Sequence, residues 1–166
     1  EENDDCDKGF FCMTKTSGDT GDGVCYEFCV PNSPDQCQAG GGDCIPFNDG
    51  VLPICQTACD PLIQDCPSGM GCYAAFDNFV CARPGYDDGK GNDGDDCYTI
   101  QSCLPGNVCV SADSLDACTG GDACCTPICD LTGTDPCSTP EECTPWFEAG
   151  SEPPGLEDVG ACTIPA

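Results

Sequence analysis

Apolar residues in this chain come in short runs, each broken by cysteine, glycine, proline or acid. Residues 45–54, IPFNDGVLPI, place two apolar arms around Asn48-Asp49-Gly50, a strong hairpin-turn signal. Residues 73–80, YAAFDNFV, are a shorter version, and residues 144–161, TPWFEAGSEPPGLEDVGA, a longer one with the only tryptophan, Trp146. The pattern predicts short β-hairpins joined by loops, with little or no helix. Phe10, Phe11, Phe47, Phe76, Phe79, Trp146 and Phe147 fall near these hairpins. They read as the small cores of individual units, or else as an exposed strip for a partner or a neighbouring copy. No apolar run approaches the roughly 18–20 residues of a membrane span.

The cysteines carry a second pattern, which turns isolated hairpins into an array. Four cysteines per repeat, labelled b, c, d and a, follow the spacing b-x5–7-c-x5–6-d, then a longer excursion to a. Cys29, Cys37, Cys44 and Cys55 fit, as do Cys59, Cys66, Cys72 and Cys81, and Cys129, Cys137, Cys143 and Cys162. A fourth set has Cys97, Cys103 and Cys109, closing at Cys118 or Cys125, with two extra cysteines in that region. The first set has only Cys6, Cys12 and Cys25. About five units therefore stand in tandem, which reads as stacked small modules rather than one globule.

Between c and d the frame Cys-x2-Gly-x2-Cys recurs at residues 6–12, 66–72 and 103–109, and its glycine suits a tight turn with positive φ. Neighbouring repeats join tightly by a-x3-b, as in Cys25 to Cys29, Cys55 to Cys59 and Cys125 to Cys129. Only residues 82–96, rich in Gly and Asp, make a long junction. They read as a linker between a first half (1–81) and a second half (97–166).

Four cysteines allow three pairings, which sequence does not resolve. We favour b–d with c–a, on which Cys12 lacks its partner. By the spacing rule the missing b lies just before Glu1, so the odd cysteine reflects a chain that starts just past its natural partner. A free thiol and an intermolecular bridge are the other readings, and Cys6, Cys12 and Cys25 are the candidates for the odd residue.

Composition adds a compartment. Twenty-one cysteines in 166 residues exceed the roughly 8–10% that marks a disulfide scaffold, and such cysteine use belongs to an oxidising space outside the cytosol. Roughly a quarter of the chain remains as ordinary apolar residues, so bridges must offset chain entropy that burial cannot. Thirty acidic residues face four basic ones, a formal charge of -26, which repels nucleic acid and anionic lipid and favours cations.

Candidate chemistry is sparse. The chain has no histidine, which removes Ser-His-Asp and Cys-His catalysis and histidine-based metal sites. It has no Cys-x2-Cys pair of the kind that thiolate zinc sites use, so disulfides are the better reading of the cysteines. Calcium is the more reasonable cation. Residues 87–96, DDGKGNDGDD, offer Asp87, Asp88, Asn92, Asp93, Asp95 and Asp96 as oxygen ligands, and residues 17–23, SGDTGDG, are a similar stretch. Neither has EF-hand or nonapeptide-repeat spacing. The ordinary counterpart of both is a solvated acidic loop.

Residues 59–81, CDPLIQDCPSGMGCYAAFDNFVC, with 94–110, GDDCYTIQSCLPGNVCV, 124–131, CCTPICDL, and 157–166, EDVGACTIPA, resemble a group of cysteine-rich secreted or surface proteins and lipoproteins of myxobacteria. The resemblance spans nearly the whole chain and implies an extracellular or cell-surface protein without assigning it an activity. Granulin-like and colipase-like mini-domains are similar only in cysteine spacing. The combined expectation is a secreted, non-enzymatic structural or adhesive protein of a bacterial surface or extracellular filament, capable of self-association. A calcium-dependent extracellular binding module and a small extracellular hydrolase are the alternatives; no protein or glycan partner is identifiable from the residues.

Overall fold

The computed structural model describes residues 6–13, 24–31, 37, 42–47, 51–75, 77–85, 91–118 and 120–165. Ten short strands follow one another: β1 (Phe10–Met13), β2 (Val24–Glu27), β3 (Asp43–Phe47), β4 (Leu52–Gln56), β5 (Gly71–Ala75), β6 (Asn78–Ala82), β7 (Asn107–Ser111), β8 (Ala123–Asp130), β9 (Glu142–Pro145) and β10 (Val159–Thr163). Two single 3-10 turns, Ile100–Ser102 and Ala112–Ser114, are the only helical pieces among the described residues. The fold is thus a small, mostly-β, disulfide-rich array of hairpins, as the short apolar arms predict.

Four of the hairpins grow from a turn that precedes them among the described residues. In three repeats the amide after the glycine donates to the carbonyl of the residue after cysteine c: Phe10 to Asp7 (3.1 Å), Met70 to Pro67 (3.0 Å) and Asn107 to Leu104 (2.9 Å). Gly9, Gly69 and Gly106 occupy the third position of these turns with φ of 99°, 84° and 91°. That is type II geometry, which demands a left-handed residue there. A Cβ at any of the three would meet nothing within 4 Å, so backbone conformation and not crowding calls for glycine. In the last repeat the same slot holds Pro140 after a cis Thr139–Pro140 bond, and Glu141 donates to the Ser138 carbonyl at 2.9 Å. The turn then delivers the chain into the strand that carries cysteine d.

The chain forms two compact bodies, Glu1–Ala58 and Cys59–Ala166. In the first, β1 pairs antiparallel with β2 and β3 with β4, and an isolated bridge joins Phe28 to Ile54. The register Phe47 to Leu52 leaves four residues in the β3–β4 loop, whose Asn48-Asp49-Gly50 signal lies outside the described residues. The buried cluster of this body is made of cysteine: Cys29, Cys37 and Cys55, with Cys44 against them.

In the second body β5 pairs with β6, and a four-stranded sheet runs β7-β8-β10-β9. Its largest core gathers Phe79, Val108, Leu156, Val159 and Ala161 around Cys59, Cys72 and Cys81. Phe79 is fully buried, with Trp146 and Phe147 rings 6.0 and 6.2 Å away. A second cluster is Cys97, Cys103 and Cys125.

The division between bodies falls at Ala58/Cys59, and the described residues of the Gly/Asp-rich stretch 82–96 belong to the second body. There Gly85 donates to Gln101 (2.7 Å), Leu104 to Gly91 (2.8 Å) and Cys125 to Asp95 (2.9 Å). Gly91, with φ of 93°, lies where a Cβ would strike the Leu104 amide and the Ser102 carbonyl. Its glycine serves close backbone approach rather than linker flexibility.

Candidate functional site

The feature that recurs with fixed geometry is the cysteine framework. Cysteines d and a always stand opposite each other across the hairpin: Cys12 and Cys25, Cys44 and Cys55, Cys72 and Cys81, Cys109 and Cys125, Cys143 and Cys162. They do not bond to each other. Each d reaches back to b, in Cys29–Cys44, Cys59–Cys72, Cys97–Cys109 and Cys129–Cys143. Each a reaches back to c, in Cys6–Cys25, Cys37–Cys55, Cys66–Cys81, Cys103–Cys125 and Cys137–Cys162. The fourth repeat closes at Cys125, and its two extra cysteines form Cys118–Cys124.

Two bridges therefore clamp the base of each complete hairpin side by side. Three sulfurs per repeat lie within 4.8 Å of one another in Cys29/Cys37/Cys55, Cys59/Cys66/Cys72, Cys97/Cys103/Cys125 and Cys129/Cys137/Cys162. Thiolates so placed would suit a soft metal, but every member is consumed in a bridge. Of the three odd-cysteine candidates, Cys6 and Cys25 bond to each other and Cys12 is the free, half-buried thiol.

A third element completes each repeat. The residue before b pairs with the residue before a, on the edge of the a strand away from d: Phe28 with Ile54, Asp96 with Cys124, Ile128 with Ala161. The b amide donates to the carbonyl two residues before a, Cys29 to Pro53 (3.2 Å), Cys59 to Phe79 (3.1 Å) and Cys97 to Ala123 (3.0 Å). In the fourth repeat the return bond is also present, from the Cys125 amide to the Asp95 carbonyl. Each complete repeat is thus a three-stranded unit in the order b, a, d. Strand β8 serves twice, as the a strand of the fourth repeat through Cys125 and as the b strand of the fifth through Cys129. The tight a-x3-b spacing is the sequence trace of this double use.

The acidic candidates are partly described. Asp87, Asp88 and residues 17–23 lie outside the described residues. Among the rest, Asp95 Oδ2 accepts from the Asn92 amide (2.9 Å) and the Asn92 side chain (3.2 Å), which closes a local turn. Asp96 contributes backbone to the Cys124 bridge. Asp93 lines a different, shallow cleft of about 110 Å³ with Asp116 and Glu141, where Glu141 Oε1 accepts from the Asp116 amide at 2.9 Å. Among the described residues no three carboxylates bring ligand oxygens within 4.8 Å of each other. Asp130 is the carboxyl held below its ordinary range, because Thr132 donates to it from both its hydroxyl and its amide, each at 2.8 Å. That arrangement caps the turn after β8.

An apolar groove of about 200 Å³ lies between Ala74, Ile100, Val108, Cys109 and Trp146. Phe79, Phe147 and half-buried Trp146 pack into one core shared by the third, fourth and fifth repeats, not into separate cores of individual units as the sequence predicts, whereas Phe28 is 44% exposed. Phe10 and Phe11 are half-buried, and Phe11 meets Phe28 with ring centres 6.1 Å apart. Phe76 and the Phe47 side chain lie outside the described residues. Nothing in the spacing announced the b-strand pairing, since it joins residues 26 to 33 positions apart.

No protein-family model, no curated protein and no solved structure matches the chain. Fold and framework together define a small disulfide-rich β protein, whose ten bridges are consistent with an oxidising extracellular location.

Proposed function

We propose that the protein is a secreted, non-enzymatic structural or adhesive component of a bacterial cell surface or extracellular filament. The observation that carries this reading is the interlock of repeats. Strand β8 ends the fourth repeat at Cys125 and continues as the b strand of the fifth through Cys129, and the bridges Cys103–Cys125 and Cys129–Cys143 tie it to both. Hydrogen bonding and covalent cross-links then run on from the fourth hairpin to the fifth, an arrangement suited to bearing tension and resisting proteolysis. The acidic surface, at a formal charge of -26, keeps such a chain soluble until it meets its partner or its own kind. The cysteine-rich surface proteins that the sequence resembles favour the bacterial setting.

Light scattering over a wide concentration range, with fractionation of source cultures into cytosol, surface and medium, tests the reading. Surface or medium localisation and concentration-dependent assembly are expected. A cytosolic protein that stays monomeric at the highest concentration would contradict it.

A further inference from the structure

Repeats 2 to 5 each hold three things together: a b segment hydrogen-bonded to the outer edge of the a strand, a bridge from b to d, and a bridge from c to a. The first repeat has the last of these in Cys6–Cys25, and its a and d cysteines stand in the same register, Cys25 opposite Cys12. Neither of the other two occurs among the described residues, where β2 has β1 as its only strand neighbour. Phe28 donates to Gly9 across the hairpin, which sets the Cys25 backbone facing away from β1, as the Cys125 backbone faces away from β7 to meet Asp95. Cys12, at the d position, carries the thiol that in four sister repeats is bonded to b. Among the described residues a strand edge with no neighbour and an unbonded thiol thus coincide at one place, and each sister repeat has both filled by one segment.

We propose that the first repeat is an acceptor site for one extended polypeptide segment bearing a cysteine, which adds as a strand to the outer edge of β2 and forms the b–d disulfide with Cys12. The occupant is not a second copy of these residues. Ten bridges use twenty of the 21 cysteines, so a second copy has only its own Cys12 to offer, and that residue lies inside a hairpin strand. The chain's own b strands show what fits: two residues of extended backbone, then cysteine. Main-chain pairing supplies the docking and the bridge the permanence. The inference stands on the repeat geometry and does not depend on the structural role proposed above.

The test uses the oxidised 166-residue chain and a peptide copying Thr126–Leu131, whose cysteine is capped as a mixed disulfide with thionitrobenzoate. The Cys12 thiol gives up its proton and its thiolate attacks the peptide sulfur. The new Cys12–peptide bond forms as the old S–S bond breaks, and coloured thionitrobenzoate leaves with the electron pair, so no further oxidant is needed. Templating by β2 should make this peptide react about tenfold or more faster than a scrambled peptide of the same composition. In the product, hydrogen exchange of the Cys25 amide should slow by at least about tenfold. Cys12→Ser should abolish both. Equal rates for the two peptides, or a bridge without protection at Cys25, would overturn the proposal.

Discussion

Three glycines set the hairpins in place, and their role is conformational. Gly69 sits at φ of 84° with open space where a Cβ would go. Gly69→Ala therefore removes no contact and creates no clash; it forces an L residue into the left-handed region. The expected loss is roughly 1–2 kcal/mol of stability, read as a lower denaturant midpoint with bridges intact. Asn in its place should cost less, because its side chain tolerates that region. Unchanged stability in Gly69→Ala would mean the turn is not formed as described. This position was legible in the sequence, since Cys-x2-Gly-x2-Cys recurs three times. The last repeat was not, because Pro140 fills the equivalent slot by a different backbone route.

At the scale of the hairpin, the d and a cysteines face each other and bond elsewhere, which ties the base of every hairpin to the segment before it. Bridges of this kind close loops of 12 to 25 residues, and each contributes on the order of 3 kcal/mol by restricting the unfolded chain. Ordinary apolar burial adds a local core in the second body, centred on Phe79. Phe79→Ala should cost about 3–5 kcal/mol by chemical denaturation, with Trp146 fluorescence reporting the lost ring contacts. A loss below about 1 kcal/mol would show that the bridges alone hold β5 and β6 against the sheet. The apolar arms made the hairpins readable from sequence. The third strand of each repeat was hidden, because it is short, from one bridge residue before b to the three residues Ile128, Cys129 and Asp130 of the fifth repeat, and its partner lies far along the chain. Within the Gly/Asp-rich stretch, glycine at 91 marks a close backbone approach, which composition cannot distinguish from flexibility.

For the whole molecule the cysteine spacing carried the architecture, and the acidic loops carried no site among the described residues. Asp95 caps its own turn while Asp93 faces a different cleft, so these two of the six candidate ligands serve different places. What organises the molecule is the rule that d bonds b and a bonds c, repeated through four full repeats and half-present in the first. The most direct test is a disulfide map of the native chain, digested unreduced at acid pH to prevent exchange and read by mass spectrometry. The account predicts Cys29–Cys44, Cys37–Cys55, Cys59–Cys72, Cys66–Cys81, Cys97–Cys109, Cys103–Cys125, Cys129–Cys143 and Cys137–Cys162, with Cys6 bonded to Cys25. Bridges directly across the hairpins, such as Cys44–Cys55 or Cys72–Cys81, would contradict it, because they would leave each hairpin closed on itself and the repeats without their interlock.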